Sequence, residues 1–177
     1  MSQLKVDSIV PRGGLPSGAN GGIIQTVQTV KSDVTSQSGS SSSTFYDISG
    51  MSATITPQSS SNKIMIVVTC VLGASATGRN NLLRLVRGST VISAGTSGSQ
   101  VNGYCFWRIT NNSCFAYSNT HHFLDSPSTT SATTYKVQWS IEGQGGGSTT
   151  GYLNRRGCDQ SYGLVSSVTL YEVSAWV

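Results

Sequence analysis

The sequence predicts an all-β protein, an antiparallel β-sandwich of jelly-roll type preceded by an extended N-terminal arm, and three observations predict it. Charged residues make up only 10% of the 177 residues, against about 25% in an ordinary soluble domain. Serine and threonine stand in for them, with 31 and 19 copies beside 20 glycines, and only Glu142 and Glu172 supply glutamate for the wet face of a helix. Short runs rich in Val, Ile, Thr and Tyr recur between Gly, Asn and Ser turns, which is the rhythm of a sandwich or barrel. The length fits one domain with its own core.

Residues 1–22 form the arm. Pro11, Pro16 and the glycines at 13, 14, 18, 21 and 22 exclude a helix. Leu4, Val6, Ile9, Val10 and Leu15 are nevertheless apolar, and Leu4 and Val6 alternate with Lys5 and Asp7. An apolar peptide too short to fold alone reads as one that lies on another surface. Residues 23–177 form the sandwich, eight to ten strands in serial hairpins. IIQTVQTVK (23–31) is the first, and the serine-rich 32–43 segment reads as a loop. STFYDIS (43–49) and SATITP (52–57) read as short strands around Gly50.

KIMIVVTCVL (63–72) is the most apolar run and is predicted to be a strand buried on both faces. NLLRLVRG and STVISAG make a hairpin across Gly88-Ser89. GYCFWRIT (103–110) and SCFAYSNTHHFLD (113–125) make another across Asn111-Asn112. In TYKVQWSIE (134–142), Tyr135, Val137, Trp139 and Ile141 share one face. GQGGGSTTG (143–151) reads as a loop, GYLNRRG (151–157) as a short strand, and residues 164–177 close the chain.

The charge balance is +4, with a pI near 9.0, but the basic residues are scattered, the tightest groups being Arg84 with Arg87 and Arg155 with Arg156. They predict a solvated surface and no nucleic-acid partner. No apolar run approaches the roughly 18 residues of a membrane span, and MSQLKVDSIV lacks the apolar stretch of a signal peptide. Assembly in a reducing cytoplasm is therefore expected, with the four cysteines as mostly buried thiols. Cys105 and Cys114 flank a predicted turn and are candidates to face one another; the sequence leaves their pairing open.

Catalytic chemistry is not expected. His121-His122 near Asp125 is the only cluster of metal or acid–base type, and adjacent histidines on a strand point to opposite faces. One should pack and the other be solvated. No CxxC pair, G-x-S-x-G elbow or phosphate loop is present. The expectation is no enzyme, no metal and no cofactor. The aromatic residues of the second half offer a different chemistry, stacking on sugar rings beside polar groups, and Trp107, Arg108, Tyr117 and Tyr152 are its candidates. On GYCFWRIT, Tyr104, Phe106 and Arg108 share one face and Cys105, Trp107 and Ile109 the other, so one of the two faces belongs to the core.

The opening SQLKVDSIVPRGGLPSGANGGIIQTVQ resembles the N-terminal stretch of short virion and tail-fibre proteins of marine phages, cyanophages above all. The body is similar to their C-terminal jelly-roll domains in NKIMIVVTCVL, LLRLVRGSTVI, FLDSPSTTSATTYKVQ, YLNRRG and SSVTLYEV. The resemblance implies a particle component, a homotrimer, with the arm as attachment element and the β-domain facing outward. Leu4, Val6, Ile9, Val10, Pro11, Arg12 and Leu15 would then meet other virion proteins of capsid or tail, the apolar ones filling pockets and Arg12 reaching a carboxylate, through added-strand pairing. No long shaft separates arm from domain, so the expected object is a short fibre or knob in the virion, assembled in the host cytoplasm, with a host surface polysaccharide as a further partner. The alternatives are a capsid decoration or cement protein and a carbohydrate-binding module.

Overall fold

The computed structural model describes residues 22–96, 101–110, 112–143 and 147–175. These residues build eleven strands and no helix: β1 (Ile23–Lys31), β2 (Thr35–Gly39), β3 (Ser41–Ile55), β4 (Lys63–Ala74), β5 (Asn81–Arg87), β6 (Thr90–Ser93), β7 (Cys105–Trp107), β8 (Tyr117–Asp125), β9 (Thr133–Ile141), β10 (Thr149–Leu153) and β11 (Ser166–Val173). They form two antiparallel sheets packed as a sandwich. Sheet A runs β1-β11-β4-β10-β2, with β8 on the other edge of β4; sheet B runs β3-β9-β5-β6, with β7 also on β5.

Alternation decides which residues enter the core. On β9, Tyr135, Val137, Trp139 and Ile141 are fully buried, as the period-2 pattern predicts. Ile64, Ile66, Val68, Cys70 and Leu72 of β4 face them from sheet A, joined by Val168 and Leu170 of β11 and Leu153 of β10. Leu83 and Leu85 of β5 and Met51, Ala53 and Ile55 of β3 complete the sheet B side. The β5–β6 hairpin turns across Gly88, whose φ of 58° suits glycine.

Several sequence expectations are corrected. β4 is not buried on both faces: Met65, Val67, Thr69 and Val71 are half-buried and look outward. The two short strands around Gly50 are the single strand β3, kinked by a register shift between Asp47 and Ser52. Gly50 sits there at φ 78°, beside the Lys31 side chain. Thr149 and Thr150, assigned to a loop, begin β10.

The serine-rich 32–43 segment is not a loop. Its residues 35–39 are β2, an edge strand paired with β10 from Thr149↔Gly39 to Leu153↔Thr35. Small hydroxyl side chains suit a strand wetted on both faces, and Ser38 meets Thr150 at 3.1 Å. Gly39 marks a corner. A Cβ there would lie 2.5 Å from the Ile141 carbonyl oxygen, so only glycine lets β2 of sheet A pass beside β9 before β3 enters sheet B.

The strands flanking Asn111-Asn112 do not form a hairpin. β7 pairs with β5 in sheet B through Leu83↔Cys105, whereas β8 pairs with β4 in sheet A from Ile64↔Asp125 to Leu72↔Tyr117. Cys105 and Cys114 are therefore not opposite one another. Cys114 is bonded to Cys158 across a Cα–Cα distance of 4.9 Å, and Cys70 and Cys105 are free and buried. Burial, reinforced by neighbouring Cys105, pushes the Cys70 thiol up to about 12, so it is no nucleophile.

Candidate functional site

Leu4, Val6, Ile9, Val10, Pro11, Arg12 and Leu15 lie outside the described residues. The four candidates for sugar contact are described, and the fold does not bring them together. Trp107 is 1% exposed and belongs to the core, so it offers no ring face to a ligand. Of the two faces of its strand, the one carrying Cys105, Trp107 and Ile109 turned inward because it buries the larger ring. Phe106 points out instead, 53% exposed. Arg108 is exposed on the same side.

Tyr117 pairs with Leu72, a core residue, and so lies on the inner side of sheet A; Tyr152, next to buried Leu153, lies on its outer side. Arg155 covers the Tyr152 ring at 4.0 Å. The Arg155–Gly157 segment rests on the outer face at the end of β4. A Cβ on Gly73 would strike the Arg155 carbonyl, and one on Gly157 the Ala74 carbonyl. Gly157 N donates to Ser113 O at 2.8 Å beside the disulfide, which ties this segment to residues 112–114.

The histidine pair separates as expected. His121 stacks on Tyr104 with ring centroids 4.0 Å apart, and its Nε2 meets Ser93 Oγ at 2.8 Å; His122 is exposed on the opposite face. Burial, with a smaller contribution from His122, holds His121 below the ordinary imidazole range. Asp125 is buried and accepts from Arg87 Nη1 at 2.7 Å and from Tyr135 Oη at 2.7 Å, which makes it a structural ion pair. Glu172, fully buried, accepts from Asn62 Nδ2 at 2.6 Å and the Gln58 amide at 2.7 Å. Among the described residues no group of three His, Cys, Asp or Glu could hold a metal.

The feature the sequence did not announce is the outer face of sheet A. Its strands set outward side chains in rows: Thr26, Tyr171, Met65 and Leu124; then Gln28, Thr169, Val67 and His122; then Val30, Ser167, Thr69 and Thr120. No carboxylate occurs in these rows; among the described residues Lys63 stands at one end of β4 and Arg155 at the other. Leu124 is 51% and Val30 57% exposed. The alternation in KIMIVVTCVL was the available signal, hidden because both alternate sets are apolar.

Comparison with known proteins adds little. No family model matches the chain, and no curated protein matches it. Among solved structures it is similar to a chain in the structure of infectious bursal disease virus, Gx strain, at 12% identity and a TM-score of 0.37, covering 86% of this chain. The chain spans 37% of that chain's length.

Proposed function

We propose that this chain is a non-enzymatic structural component of a bacteriophage particle, a short trimeric fibre or knob joined to the particle by residues 1–22 and exposed to the host surface. One observation supports the reading most: the broad, nearly charge-free outer face of sheet A. Four strands at about 4.8 Å spacing and about nine residues at 3.3 Å rise give a face of roughly 500 Å². Tyr171, Met65, Leu124, Val67 and Val30 are its apolar members, set among Thr, Ser, Gln and His, so the face is mixed rather than a continuous apolar patch. Around a threefold axis each such face meets part of its neighbours', so three copies bury roughly 1,500 Å² in all.

The charge argument points the same way. A chain of net charge +4 repels its copies least where it carries no charge. The arm enters at this sheet as well: Gly22 O accepts from Ser174 N at 3.0 Å, and β1, which follows, is an edge strand. Several arms on one oligomer bind with avidity, so each needs only modest affinity.

The test is the mass in solution, by light scattering, of the full chain and of a chain starting at Gly22. Three times 18.6 kDa for the first and a shortened trimer for the second are expected, the second failing to join particles. A monomer in both cases would overturn the trimeric reading. Assembly of the truncated chain into particles would overturn the anchor.

A further inference from the structure

The outer face of sheet A carries a group of the kind that changes charge near neutrality. The sequence has two histidines, His121 and His122, and β8 sends them to opposite faces. His121 turns inward, stacked on Tyr104 with its Nε2 at Ser93 Oγ. His122 is exposed on the outer face, directly across from Val67 of β4. Leu124 follows it two positions along β8, and Met65 lies across from Leu124. Leu124 is 51% exposed, and Met65 and Val67 are half-buried. These four side chains form one block. Removal of apolar surface from water drives association, and a contact that covers Leu124, Met65 and Val67 covers His122 with them.

No counter-charge stands beside it. Across β4, β11 and β1 its row continues as Val67, Thr169 and Gln28, all uncharged. Along β8 its outward neighbours are Thr120 and Leu124. Lys63 lies four positions before Val67, with its Nζ on Ser126 Oγ at 2.6 Å, and Arg155 covers Tyr152 at the far end of the sheet. Asp125 faces inward and is already engaged by Arg87 and Tyr135. Among the described residues β8 pairs with β4 alone, so no further strand brings a carboxylate to this side. A neutral imidazole fits between two uncharged faces, where hydroxyls and amides can take its hydrogen bonds. An imidazolium there is a charge removed from water with no anion to meet it, and it recurs in every copy.

We propose that His122 makes association of copies through the outer face of sheet A pH-dependent: the copies hold together while it is neutral and separate when it is protonated. The inference rests on the trimeric reading above and adds the regulation of that interface. A proton binds the separated copy in preference to the assembled one. Association is therefore complete above the imidazole range, centred at about pH 6.5, and is lost as pH falls through it. One proton taken up per copy makes the dissociation constant of a trimer climb by as much as about 1,000-fold for each pH unit below that range.

The experiment is light scattering of the full chain from about pH 8 down to about pH 5, with thermal melts at each step to follow folding. A trimer at the upper end that separates into folded monomers at the lower end is expected. His122→Gln, neutral throughout, should stay trimeric across the range. His121→Phe, which leaves the outer face as it is, should separate as the unaltered chain does. A monomer already at the upper end would overturn the trimeric reading, and the inference with it. A trimer that persists at the lower end would overturn the inference and leave that reading standing. Separation of folded His122→Gln over the same range, or its absence in His121→Phe, would likewise remove His122 as the switch.

Discussion

Breaking the Cys114–Cys158 bond should lower the melting temperature by an amount that follows from its place in the chain. The bonded residues are 44 apart in sequence. Closing a loop of that length in the unfolded chain removes about 13 cal/mol/K of entropy, or about 4 kcal/mol at 25 °C. For a chain of this size each kcal/mol moves the melting temperature by about 2–4 °C, so a fall of about 8–16 °C is expected on reduction. The native site should outlast the bond, because Gly157 N still donates to Ser113 O at 2.8 Å and Cys114 N to Asn112 Oδ1 at 2.9 Å. The effect is therefore carried by the unfolded state. Calorimetric melts with and without a phosphine reductant, beside Cys114→Ser, measure it. Alkylation in denaturant should modify Cys70 and Cys105 before reduction and all four cysteines after it. Coincident melts of oxidised and reduced protein would refute the reasoning, and so would a peptide map that placed Cys105 in the bond.

Other perturbations test the core and its polar inclusions. Because burial holds the folded-state pKa of His121 below that of a free imidazole, the unfolded chain takes up the proton first; stability should be complete above the ordinary imidazole range and decline as pH falls through it. His121→Phe, which keeps the stack on Tyr104, should flatten that decline in melts followed across the range, and an unchanged slope would remove His121 as its source. Trp139→Ala should cost about 3–5 kcal/mol in urea unfolding, as loss of a fully buried indole does. Tyr135→Phe should cost about 1.5–3 kcal/mol in the same assay, since it removes the hydrogen bond that Tyr135 Oη donates to the Asp125 carboxylate. Gly157→Ala should cost about 1–3 kcal/mol, because the new methyl meets the Ala74 carbonyl; a neutral result would mean that the segment does not rest on β4.

The legible parts of the fold were those where one face is apolar and the other is not. The alternation of Tyr135, Val137, Trp139 and Ile141 gave β9 and its inward face together, and Gly88 gave the β5–β6 turn. Where both alternate sets are apolar the rule loses its grip. β4 read as doubly buried because Met65, Val67 and Val71 are as apolar as Ile64, Ile66 and Val68. GYCFWRIT carries aromatics on both faces, so local pattern could not say that Trp107 was core and Phe106 surface. Pairing was harder still. β7 and β8 are neighbours in sequence and belong to different sheets, a choice made by β5 and β4 far along the chain. The partner of Cys114 was hidden for the same reason. The contacts of Arg84 with Phe45 and Gln138 join three strands that no spacing in the sequence connects.

The scarcity of charge takes on a definite meaning once it is placed on the fold. A sandwich of this size could carry lysine and glutamate at every outward strand position without harm to its core. Instead the ionic groups gather where they are already engaged: Asp47 with Lys136 on the outer face of sheet B, Arg87 with Asp125 at the sandwich rim, Arg156 with Asp159 in the segment beside the disulfide. The outer rows of sheet A are left to Thr, Ser, Gln, Val, Met, Leu and Tyr, with His122 among them. Solubility alone would favour the opposite distribution, since exposed edges and faces are normally guarded with charge. Under the trimeric reading proposed above, this uncharged face is the surface through which copies would associate. Lys63 stands at the end of β4 with its Nζ donating to Ser126 Oγ at 2.6 Å, so contact across Met65 and Val67 need not bury an unpartnered ammonium.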